Sequence, residues 1–178
     1  MPAEDRLPPF TLHTLLTPVF SVSSSVSRSV RAIAAAPSSS VYAASTDGSF
    51  KVLDCNASPP IEVQALSPGG LAPSKKSIDK LVALETVDKL LVLAEGSLTF
   101  HSLSTLEVVS AGAAAGRGIN NNAIKGVLAF VVDELNMGQD AVQIAIIKRK
   151  GVALFRVTRT NVELIQVCLL LCRIAVHF

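Results

Sequence analysis

Few residues in this sequence have the types and spacing that chemistry requires. The histidines His13, His101 and His177 lie far apart, and no His-Glu-x-x-His pair sets two imidazoles on one helix face for a metal. Cys168 and Cys172 flank Leu169, Leu170 and Leu171, a spacing that matches neither a zinc knuckle nor a Cys-x-x-Cys redox pair. With Cys55 the cysteine count is odd, so no disulfide framework is expected; buried thiols in a reducing, intracellular setting fit better. Ser23, Ser24 and Ser25 lack a nucleophile elbow, and a reactive hydroxyl also needs a base and oxyanion donors. Gly112, Gly116 and Gly118 suggest a phosphate loop only superficially, because no Lys-Ser/Thr follows them. The acidic residues between Glu62 and Glu107 form no recognisable carboxylate pair. The sequence therefore predicts no catalytic residue, no cofactor, no metal and no small-molecule substrate.

One cluster stands out. Lys148, Arg149 and Lys150 are consecutive, and Arg156, Arg159 and Arg173 follow with Glu163 as the one acid beyond Ala141. Such a cluster attracts an acidic protein surface or an anionic membrane. The competing reading is an ordinary charged turn between strands. Nucleic acid is disfavoured, because the net charge is only +2 and Tyr42, Phe130 and Phe155 read as packed residues, not a stacking series.

The elements that must position this cluster are strands. Apolar residues make up 49% of the sequence and charged ones 17%, which excludes a wholly disordered chain. Val41–Leu53 reads as two strands around Asp47-Gly48, a strong hairpin signal because glycine accepts positive φ. Leu90–Leu103 repeats the pattern around Glu95-Gly96, and Val142–Val157 repeats it around Lys148–Gly151. Further apolar segments, Val30–Ala35, Ile78–Leu84 and Ile124–Val132, precede the three hairpins. Ser77–Leu93 has helix-favouring residues, but the repeat argues for strands there. Pro- and Gly-rich loops fall at Ala57–Ser74 and Ala111–Asn122, with a shorter polar one at Glu134–Asp140.

A repeat of about 50 residues built from short strands is the signature of a β-propeller. The expected fold is all-β, a partial propeller of about three to four antiparallel WD40-like blades, truncated relative to a closed ring. Residues 1–29 read as a leader or partial first strand, 30–160 as the propeller, and 161–178 as an apolar C-terminal strand or altered terminus. The apolar run ending at Phe178 is too short and too interrupted for a membrane span.

Lys75–Leu81, Leu90–Gly96 and Leu98–Glu107 together resemble the citron homology (CNH) domain of Vam-type vacuolar sorting proteins and TGF-beta-receptor-associated proteins. Val142–Val157 is similar to a later basic-turn hairpin of that domain, and the resemblance runs mainly from Val41 to Val157. It implies a non-catalytic interaction domain in vesicle-mediated transport. Its partners would be a Rab-type small GTPase and subunits of the HOPS or CORVET tethering complexes. The implied location is cytoplasmic, peripheral to endosomal or vacuolar/lysosomal membranes. The alternative is a citron homology regulatory fragment of a small-GTPase signalling protein. The resemblance supplies no short contact motif, so Lys148, Arg149 and Lys150 are the candidate contact residues. The chain lacks the helical-repeat region of full family members.

Overall fold

The computed structural model describes residues 30–67, 69–71, 77–109, 122–133 and 140–169. The serine triplet, the Gly112–Gly118 loop, His13, His177, Cys172 and Arg173 lie outside these. The described residues form three antiparallel sheets that follow one another along the chain. Sheet 1 runs β1 (Val30–Ala35), β2 (Ser40–Ser45), β3 (Phe50–Asp54) and β4 (Ile61–Leu66). Sheet 2 runs β5 (Lys80–Leu84), β6 (Lys89–Ala94), β7 (Ser97–Ser102) and β8 (Val108–Val109). Its last edge is completed by β9 (Ala123–Lys125), which pairs with the opposite end of β7 from β8. Sheet 3 runs β10 (Val127–Val132), β11 (Ala141–Lys148), β12 (Gly151–Thr158) and β13 (Val162–Leu169). Ser77–Leu93 is extended except for a single 3-10 turn at Glu85–Val87.

Burial explains the sequence patterns. Between sheets 1 and 2, Ala34, Tyr42, Phe50 and Val52 meet Leu81, Leu90 and Val92. Between sheets 2 and 3, Leu91, Leu98 and Phe100 meet Phe130, Ile144, Ile146 and Phe155. Sheet 2 is thus covered on both faces, so β6 is buried at every position and reads as an unbroken apolar run. Strands β11 and β12 bury alternate residues because sheet 3 is covered on one face only. Each large aliphatic or aromatic side chain removed from water in these two cores contributes roughly 1.5–3 kcal/mol.

The three central hairpins are closed differently. Ser45 and Ser49 close a three-residue loop in which Gly48 has φ 79°, a turn ending in a glycine bulge. Glu95 (φ 45°) and Gly96 (φ 69°) form a two-residue turn with both residues left-handed, which matches the twist of the strands. Arg149 and Lys150 form the turn of the third hairpin, again of two residues, between paired Lys148 and Gly151. Gly151 therefore belongs to β12 and is no counterpart of Gly48 or Gly96. It is glycine because a Cβ there would collide with the carbonyl oxygen of Cys168 and with Leu169 Cα on β13.

One apolar segment is divided, and one further expectation is corrected. The apolar segment Ile124–Val132 is not one strand: Gly126 (φ 73°) breaks it, so β9 stays with sheet 2 and β10 opens sheet 3. Cys55 and Cys168 are exposed free thiols, not buried ones. Cys55 follows β3 in a bend, and Cys168 sits on the outermost strand of sheet 3. Residues 162–169 form the fourth strand of sheet 3, and Val162 joins the core beside Val157.

Candidate functional site

The basic hairpin is held by strand pairing. Apolar alternation along β11 and β12 seats Val142, Ile144 and Ile146 beside Ala153, Phe155 and Val157 on the covered face. That register brings the turn to one end of sheet 3, where Lys148 is half-buried and Arg149 and Lys150 are exposed. Lys148 also pairs with Val127 on the other side. Through Gly126 this brings exposed Lys125, from the last strand of sheet 2, to the same corner. The Val127 amide donates to the Gly96 carbonyl (2.9 Å), so the corner also includes the Glu95-Gly96 turn. The site therefore consists of Lys125, Lys148, Arg149 and Lys150, with Glu95 at its border.

The other described cations of the basic segment do not join it. Arg156 is exposed farther along β12, and Arg159 follows the far end of that eight-residue strand, about 26 Å away at an ordinary strand rise. Sequence reasoning missed Lys125 because it belongs to another repeat, and only the β10–β11 pairing reveals it.

The buried polar side chains serve structure. His101 is fully buried. The Leu106 carbonyl, 3.1 Å from Nδ1, can only accept, so Nδ1 carries the proton and Nε2 accepts from the Thr99 hydroxyl at 2.9 Å. Burial pushes this imidazole's pKa below its ordinary value, against the raising effect of the Leu106 hydrogen bond. Lys89 is also buried, and its Nζ donates to the carbonyls of Val87 (3.4 Å), Asp88 (3.3 Å) and Arg159 (2.5 Å). It ties sheet 2 to the β12–β13 turn. Burial lowers its pKa, Asp88 opposes the shift, and Arg159 adds to it. Lys80 makes a similar link: Nζ donates to the Phe130 carbonyl at 3.0 Å and stands 4.5 Å from the centre of the Phe130 ring. The Asp88 carboxylate accepts from the Ser102 hydroxyl (2.9 Å) and the Ser104 amide (3.1 Å), which fixes the turn after β7.

Among the described residues no three of His, Cys, Asp and Glu stand close enough to hold a metal. No helix among them is long and apolar enough to cross a membrane.

No protein-family model and no curated protein matches the sequence. Solved structures do show likenesses. The chain is similar to a 2S albumin seed protein from Dolichos at 11% identity and a TM-score of 0.42, over 80% of this chain and 68% of that one. It is similar to Saccharomyces cerevisiae Sqt1 at 14% identity and a TM-score of 0.42, over 80% of this chain and 32% of Sqt1. It is similar to the AfRom2 CNH domain at 14% identity and a TM-score of 0.47, over 79% of this chain and 43% of that domain's chain. The chain thus spans less than half of the last two. None of these likenesses places it in a family.

Proposed function

We propose that this chain is a non-catalytic protein-interaction scaffold of partial-propeller type, whose contact surface is the basic corner of Lys148, Arg149, Lys150 and Lys125. The observation that carries the proposal is the convergence of these cations, from two sheets, on an exposed two-residue turn set by a buried register. Exposed cations on a rigid turn attract an acidic surface and speed its capture without any turnover. The resemblance of Lys75–Glu107 and Val142–Val157 to the citron homology domain supplies the finer reading. The partner is a Rab-type GTPase or tethering-complex subunit in endosome-to-vacuole or lysosome traffic. The setting is cytoplasmic, at the surface of those membranes.

The test is capture of purified endosomal Rab-type GTPases, each loaded with GTP or GDP. We expect capture that depends on the nucleotide and weakens with salt. Replacing Lys148, Arg149 and Lys150 together by Glu should reduce affinity by about tenfold or more, chiefly through the association rate. Absence of capture in either nucleotide state overturns the trafficking reading. Capture unaffected by the triple substitution overturns the basic corner as the contact.

A further inference from the structure

The three sheets are not equally finished, and the register shows how. Sheets 1 and 3 share a plan that sheet 2 lacks. Their first strands are irregular at one place, between Val30 and Ala32 in β1 and between Val127 and Ala129 in β10. Their last pairs slip at one place too, opposite Val52–Leu53 in β3 and Leu154–Phe155 in β12. The extra residue is Val63 in β4 and Ile165 in β13, each followed by a glutamine, Gln64 or Gln166. These shared irregularities align the two sheets residue by residue.

On that alignment Ala32, Ala34, Tyr42, Ala44, Phe50 and Val52 correspond to Ala129, Val131, Ala145, Ile147, Val152 and Leu154. The first set packs against sheet 2 in the core between the sheets. The second set has no described sheet over it. Val131 is 57% exposed and, with Ala145 and Leu154, lines an open groove of about 460 Å³. The opposite face of sheet 1 is its counterpart, with no described sheet over it. There Ile33 takes the place that Phe130 fills in sheet 3, yet Ile33 is 61% exposed while Phe130 is buried. Ala35 beside it is exposed too, Val41 is half-buried, and Ala43 and Leu53 are buried.

We infer that this chain self-associates head to tail: the Val131–Leu154 face of sheet 3 in one copy packs on the Ile33 side of sheet 1 in a second copy. The interface continues a series already present in the molecule, in which a face of this residue pattern is covered by the rear of the next sheet. The open face has an apolar centre, and its charges, Asp133, Arg156 and Glu163, stand with Gln143 in one row across the sheet toward one end. On sheet 1 the Ile33 side carries Lys51, in register with Ala43, and Glu62, and the ion pair between them leaves that side without net charge. Two copies joined at both ends form a closed pair with two identical interfaces. This surface adjoins the basic corner at Ile147 and Val152 but does not depend on its function.

The test is the mass of the intact chain in solution across a concentration series, by light scattering or sedimentation. The expected result is a species of twice the chain mass that dissociates on dilution. Val131→Arg or Ile33→Arg alone should weaken association by about tenfold or more. An equimolar mixture of the two variants should regain a heterodimer through the one intact interface. Both positions are exposed, and an unchanged thermal melt of each dilute variant establishes that it folds. A chain that stays monomeric at all concentrations overturns the inference. So does association that survives both substitutions, or one that Val131→Arg abolishes while Ile33→Arg leaves it intact, which marks a face-to-face pair.

Discussion

At the scale of single residues, His101 is the group whose protonation this fold opposes most directly. Its ring is buried, its Nδ1 proton is committed to the Leu106 carbonyl, and its Nε2 accepts from Thr99. A second proton would place a charge in the buried core, and the Thr99 hydroxyl would switch to accepting from Nε2 while donating to the Val92 carbonyl (3.4 Å). The folded pKa therefore lies below the ordinary value of 6.5 that the unfolded chain keeps. Above about pH 6.5 neither state takes the proton, and the stability is complete. As pH falls from there the unfolded chain protonates first, so stability declines until the pH passes the folded value. We expect the urea midpoint to fall over this interval in the native chain. His101→Gln should remove that part of the decline, and an identical pH profile in the variant would exclude His101 as its source. For Lys89, whose pKa burial likewise lowers, the corresponding decline begins as pH falls through its ordinary value of 10.5.

At the scale of elements, two glycines separate backbone shape from backbone approach. Gly126 has φ 73° and open space where a Cβ would go. Gly151 has no left-handed φ, but a Cβ there meets the backbone of β13. Gly126→Asn should cost less than Gly126→Ala, since asparagine tolerates the left-handed region, while alanine there costs about 1–2 kcal/mol. At Gly151 both substitutions should cost about 1–3 kcal/mol, with no advantage for asparagine, because β13 must move aside. Denaturant midpoints of the four variants check this, and an asparagine advantage at Gly151 would refute the steric account. These glycines also show what the sequence conveyed. Asp47-Gly48 and Glu95-Gly96 announce their turns through local chemistry, and the structure has hairpins there. Gly151 looks the same in sequence, but its requirement comes from a strand 17 residues downstream. The split between β9 and β10 was hidden for a similar reason. Ile124–Val132 is apolar on both sides of Gly126, and only the pairing of β9 with β7 shows where one sheet ends. The basic turn could be read from three adjacent letters, whereas Lys125 could be found only through register.

At the scale of the whole molecule, the order of burial sets the order of stability. Sheet 2 packs on both faces, and β6 at its middle is hydrogen-bonded to β5 and β7 and buried throughout. Its unbroken Leu-Leu-Val-Leu-Ala run is the sequence trace of that double coverage. The open face of sheet 3 left no comparable trace, because its alternating aliphatics read like any core strand. Sheets 1 and 3 each contribute one face to the cores and end in β4 and β13, which carry extra residues at Val63 and Ile165. An extra residue bends an outer strand and interrupts its ladder, which discourages further pairing along that edge and weakens its own protection. Opening β6 requires both cores to separate, whereas β4 or β13 can peel away with most of each core intact. Native-state hydrogen exchange should therefore be slowest at Leu90–Leu93, approaching the global unfolding limit, and fastest among the strands at Ile61–Leu66 and Leu164–Leu169. Head-to-tail association would add a second contrast at high concentration: slower exchange in β1 and β10 on the contact faces, with β6 unchanged. Exchange in β6 as fast as in β13 would mean that the two cores do not act together, and the central sheet would lose its place as the element on which the other two depend.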